Sequence, residues 1–271
     1  MDEIIYKLCR FIKKHYLCDI EPFKSYSMKK LFIPIVLLLI IVVGCNRTNP
    51  NEVEVETYTL CDSIYVENEF GDDYSYYTMN VDLPITKNNK LHDNIMHWML
   101  SDETKDYKTF FQEEKDRFFA VEGEEPHSQF EGNYTLSEQN DLYVTYIAEG
   151  YTYTGGAHPS PWYYGISFSK IDGSMVGYDM FENPEQLVDI VSENIRKQYF
   201  SKYNTEEEEY LFEPDDPLQL PTNQPWIETD SVVFCYAPFE IAPYAAGMPL
   251  CKISKTDLLP FLSEIGKAVL F

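Results

Sequence analysis

Leu142-Tyr143-Val144-Thr145-Tyr146-Ile147-Ala148-Glu149-Gly150-Tyr151-Thr152-Tyr153 carries no helical period. Val, Ile, Thr and Tyr crowd it, and these residues suit a pleated surface. Alternation of faces over this length predicts a long strand. The same period marks strands at Phe130–Ser137, Tyr163–Ser169 and Ser174–Tyr178, with Ile171-Asp172-Gly173-Ser174 as the hairpin turn of the last two. Upstream, Thr57–Val66 and Tyr74–Leu83 read as strands. Tyr77, Met79, Val81 and Leu83 share one face, and Pro84, which lacks a ladder donor, is expected to end the second.

Two helices are expected between these groups. Asn89–Leu100 spaces Leu91, Ile95 and Trp98 or Met99 at helical intervals, and Asp106–Val121 carries Phe110, Phe111, Phe118 and Phe119. Downstream, Asn183-Pro184-Glu185-Gln186 reads as an N-cap, a first-turn proline and a capping-box residue for a helix to about Tyr203. Residues 205–225 are acidic and proline-bearing, and are expected to form an exposed loop. Strands at Pro225–Glu228, Ser231–Ala237 and Leu250–Ser254 follow, and Ser254 opens a last helix. The set predicts an α+β fold: antiparallel sheets with helices packed on one face, in two sheet-forming halves.

The N-terminus reads differently. Met28-Lys29-Lys30, the apolar run Leu31–Val43 and Gly44-Cys45 match a secretory signal ending at a small residue. That run is short for a membrane span of about 20 residues. Cys45 after Val42-Val43-Gly44 resembles a bacterial lipobox, which implies lipidation of Cys45 and a protein tethered outside the cytoplasm on a bacterial membrane. Residues 1–27 fit such a signal poorly and read as a non-native extension. The expected organisation is thus 1–27 extension, 28–44 signal, 45–56 tether, 57–125 N-terminal half and 126–271 C-terminal domain.

The first 44 residues hold 7 Lys+Arg and 4 Asp+Glu, so the remainder has 14 basic and 41 acidic residues, a formal charge of −27. Such a field repels nucleic acid and attracts cationic partners. Beyond Cys45 only Cys61, Cys235 and Cys251 remain. Their odd number leaves one unpaired, with Cys235 and Cys251 as the candidate disulfide. No C-x-x-C, G-x-S-x-G, H-E-x-x-H or P-loop occurs. His92 and His97 stand about 140° apart around a helix and form no metal pair. No cofactor, metal site or catalytic residue is assigned, and the chain reads as a non-enzyme.

Three motifs carry a resemblance. They are Tyr151-Thr152-Tyr153-Thr154-Gly155-Gly156-Ala157-His158, then Phe168–Gly173 followed by Met180-Phe181, and Tyr236-Ala237-Pro238-Phe239-Glu240-Ile241-Ala242-Pro243-Tyr244-Ala245-Ala246-Gly247. Over Phe130–Leu262 the chain resembles the extracytoplasmic domain of unknown function shared by RsiV-type lysozyme-sensing anti-sigma factors, PdaC-type peptidoglycan deacetylases and Bacteroidetes-type lipoproteins. Ser167 and Phe239 depart from the usual pattern, Phe239 standing where a Tyr is common.

The resemblance implies a loop that engages a partner, and with the acidic charge it points to a cationic, lysozyme-type protein of the cell envelope. The partner-binding candidates are Thr154, Gly155, Gly156, His158, Trp162, Pro243 and Tyr244. His158 reads either as a ligand-facing imidazole in an aromatic-walled notch or as a histidine that hydrogen-bonds its turn. Tyr244 reads either as an aromatic presented to a partner or as part of a structural connection. The alternative function is an enzyme or carbohydrate-binding module acting on peptidoglycan or glycans. It predicts a pocket lined by His158, Trp162 and tyrosines.

Overall fold

The computed structural model describes residues 52–66, 73–101, 106–121, 127–201, 211–212 and 217–271. The expected signal, Cys45 and most of the tether lie outside them. Residues 54–56, expected in the tether, already belong to the first strand; their Glu-Val-Glu alternation is strand period.

A six-stranded sheet runs in the order β1 (Glu54–Val66), β2 (Asp73–Ile85), β3 (Gln129–Gln139), β4 (Tyr143–Tyr153), β5 (Ser160–Ser169) and β6 (Met175–Val176). A three-stranded sheet is made of β7 (Trp226–Ile227), β8 (Ser231–Cys235) and β9 (Leu250–Ser254). The fold is α+β with two sheet-forming parts, but not every pairing is antiparallel. β2 and β3 run parallel, Tyr77 beside Phe130. Helices α1 (Asn89–Met99) and α2 (Tyr107–Val121) form the crossover that such a pair requires. The expected boundary at 125/126 therefore falls inside one sheet, and residues 48–271 form one compact unit. Pro84 does not end β2, which continues to Ile85. The β2–β3 register stops at Val81, so no β3 partner needs the missing donor.

Asn183 and Ser254 cap as expected, and Asn88 adds a cap not expected from the sequence. The Asn88 side chain accepts from Leu91 N at 3.1 Å, and α1 buries Leu91, Ile95 and Met99. Asn183 accepts from Glu185 N ahead of a 3-10 turn and α3 (Val188–Ile195). Ser254 accepts from Asp257 N at the start of α4 (Lys255–Leu258), and α5 (Glu264–Leu270) closes the chain. Among the described residues of the acidic loop, not all are exposed. Leu211 and Leu218 are buried, the latter held by Ser192, which accepts from its N–H at 2.7 Å.

β4 is central because Tyr143 to Ala148 are buried on both faces. Val144 and Tyr146 face the core beneath α1 and α2 with Tyr77, Met79, Val81 and Phe168. Thr145 and Ile147 face the small sheet, where Ile147 clusters with Trp226, Val233 and Cys235. Trp226 lies on Gly165 so closely that an added Cβ would stand 2.4 Å from its ring. Helices α3 to α5 cover the small sheet's far side, with Val191, Phe234, Cys251, Leu258 and Val269 in one core.

That sandwich overturns the disulfide expectation. Cys251 pairs with Phe234, and Cys235 with Leu250. Adjacent positions on a pleated strand face opposite ways, so Cys235 joins the inter-sheet cluster while Cys251 joins the helical core. Both thiols are free and buried. Burial pushes each up to about 12, where a thiol is unreactive. Cys61 is exposed.

Candidate functional site

The predicted residues divide between two sites. Thr154, Gly155, Gly156 and His158 occupy the exposed tip joining β4 to β5. Gly155 and Gly156 adopt φ of 93° and 90° with no atom near an added Cβ, so conformation alone demands glycine there. Tyr153 Oη donates to Gly156 O at 3.0 Å and closes the tip.

The 236–247 loop meets this tip from the small sheet. Pro243 precedes a 3-10 turn, Tyr244–Ala246, whose Ala246 carbonyl accepts from Tyr199 Oη. The Tyr244 ring stacks on His158 at 3.7 Å and 17°. Its hydroxyl donates to Pro159 O at 2.9 Å. Tyr244 is therefore half-buried and spent on joining the two loops rather than presented to solvent. His158 Nδ1 also lies 3.1 Å from Pro159 O, and its imidazole serves as the outer leaf of a stacked pair.

The aromatic that does protrude is Phe239, which sequence reasoning missed as a site residue. It is 57% exposed and 5.7 Å from the Tyr244 ring. Its φ of 65° is unusual for a bulky side chain. Glu240 holds this conformation: its carboxylate accepts from Ala237 N and Thr222 N, both at 2.7 Å. The only available signal was the departure from Tyr at a position flanked by Pro238 and Glu240. Beside this knuckle the sheet face is open and acidic. Glu131, Asn133, Glu149, Tyr151 and Trp162 line a shallow depression with Met248, which follows the loop.

Trp162 borders this depression across Gly150, but its ring packs on the helix side, 5.4 Å from Phe130, which stacks on Tyr77 at 4.5 Å and 7°. These rings border a cleft of about 490 Å³ between the sheet and α2, with Glu114 and Arg117 of α2 in its wall. Neither this cleft nor the depression includes His158, which stacks on Tyr244 while Trp162 packs on Phe130. Among the described residues, no three His, Cys, Asp or Glu side chains cluster to hold a metal. No helix among them is long and apolar enough to cross a membrane.

The two-sheet arrangement has known counterparts. Residues 178–256 match DUF3298, a family of unknown function. The expected domain of unknown function fits this match. A crystal structure of a DUF3298 family member from Bacteroides fragilis superposes with a TM-score of 0.62 at 17% identity, covering 79% of this chain and 97% of that one. A DUF3298 family protein from Pseudomonas aeruginosa gives 0.59 at 17% identity, covering 80% and 97%. At such identity the likeness establishes the fold. No curated protein matches in sequence. The DUF3298 match contains the knuckle, Phe239 and Tyr244 included, whereas the glycine tip and Trp162 precede it.

Proposed function

We propose that this protein is a lipid-anchored, extracytoplasmic binding module without catalysis, and that the 236–247 knuckle engages a cationic, lysozyme-type protein of the cell envelope. The observation that carries this reading is Phe239, an exposed aromatic held in a left-handed conformation by two hydrogen bonds to Glu240. Backbone strain of this kind costs about 1–3 kcal/mol and persists where surrounding structure enforces it. Aromatic side chains are enriched among interface residues, and Phe239 projects from a chain of strongly negative charge. That field accelerates encounter with a cation and weakens with salt.

Calorimetry of the full-length protein with hen lysozyme, at low and moderate salt, tests the reading. The expected result is saturable one-to-one binding that weakens with salt and falls at least tenfold in Phe239→Gly. The same substitution relieves the backbone strain, so thermal stability holds or rises by about 1 kcal/mol. Absence of a complex at low salt sinks the lysozyme assignment.

A further inference from the structure

The cleft on the helix side belongs to the other face of the sheet and owes nothing to the knuckle. Its floor is made for flat rings. Gly132 and Gly150 are partners across the β3–β4 ladder. An added Cβ at Gly150 would stand 2.5 Å from Trp162, and one at Gly132 would stand 3.0 Å from Phe130. The two glycines let Trp162 and Phe130 lie close to the sheet, with Phe130 stacked in turn on Tyr77.

The polar groups are as telling as the rings. Tyr77 lines the cleft and is 1% exposed, yet its hydroxyl has no hydrogen-bond partner. A buried donor left unpaired costs about 1–3 kcal/mol, and such groups are rare in folded proteins. Glu114 and Arg117 form an ion pair one helical turn apart in the same wall. A cleft of about 490 Å³ is of ordinary size for a small-ligand site.

We propose that this cleft binds a neutral pyranose unit of a glycan. Trp162 and Phe130 meet the sugar's C–H face, and Tyr77, Glu114 and Arg117 take its hydroxyls. The chemistry selects against the competing ligands. An alkyl chain leaves the Tyr77 hydroxyl unpaired and offers nothing polar to the Glu114–Arg117 pair. A phosphate-bearing ligand meets the repulsion of a strongly acidic chain. A pyranose supplies one apolar face and a rim of donors and acceptors, and so matches both components of the lining.

Saturation-transfer NMR and isothermal titration of the full-length protein with maltotriose, cellotriose and triacetylchitotriose test this. At least one is expected to bind saturably in the millimolar range or tighter. Trp162→Ala should abolish that binding. Tyr77→Phe should weaken it about tenfold while leaving the melting temperature unchanged or raised, since the free protein loses no hydrogen bond. Tyr77→Phe keeps the ring and the fold, so it remains informative should Trp162→Ala fold poorly. Absence of binding by all three sugars overturns the proposal. So does binding that Tyr77→Phe leaves untouched, or cleft occupancy by decanoate with no sugar bound.

Discussion

The two faces of the six-stranded sheet handle buried hydroxyls in opposite ways. Toward the small sheet, Thr145 Oγ1 donates to Ile227 O, and Ser167 Oγ accepts from Ile227 N and bonds Thr145 Oγ1, all at 2.8 Å. The network closes on a two-residue strand and satisfies it. Trp226 Nε1 is the exception on that side. Toward the helices, the hydroxyls of Tyr77 and Tyr146 are equally buried and unpaired. One face is a finished interior; the other keeps polar capacity in reserve, beside a cleft. Satisfied hydroxyls contribute to stability, whereas unsatisfied ones mark where stability has been forgone.

The largest test of the finished face is Gly165→Ala. Its Cβ would strike the Trp226 ring, and overpacking here is expected to cost about 3 kcal/mol, read as a lower denaturation midpoint. A loss under about 0.5 kcal/mol would mean that the sheets slide apart easily, and the contrast between faces would weaken.

Next comes alkaline pH. Cys235 and Cys251 have folded pKa values raised from 9.0 to about 12 by burial. Their contribution is complete below pH 9 and is lost as pH rises toward 12, because the unfolded chain releases those protons first. Buried Lys170 and Lys255, which burial lowers, act in the opposite sense as pH approaches 10.5. Denaturant titrations from pH 8 to 10 should show falling stability, with the slope reduced in Cys235→Ala/Cys251→Ala. An unchanged slope would place the titrating groups elsewhere.

The smallest effects discriminate most finely. Ser167→Ala strands the Ile227 N–H and should cost about 1–3 kcal/mol. Tyr146→Phe removes an unpaired hydroxyl and should change stability by less than about 0.5 kcal/mol, in either direction. Equal losses from the two variants would erase the distinction between faces.

The Tyr77 hydroxyl and the Trp162 cleft were illegible in the sequence for one reason. Trp162 is four residues from His158, and proximity suggested a common pocket. The chain reverses direction at Gly155-Gly156, and β5 then sends Trp162 to the side away from the Tyr244 loop. Phe239 was visible as a departure from pattern, but its exposure depends on Glu240 binding the backbone of Thr222, eighteen residues upstream. Cys235 and Cys251 looked like a pair because they flank one loop, and only the β8–β9 register separates their faces.

Local chemistry alone dictated the elements. Period-two runs became strands, spaced apolar residues became helices, and Asn88, Asn183 and Ser254 became the caps because each effect acts within a few residues. The parallel seam between β2 and β3, the face each cysteine occupies and the division of the aromatic residues between knuckle and cleft came from tertiary structure. Strand periodicity sorts side chains into two sets, but burial against distant segments decides which partner covers each set.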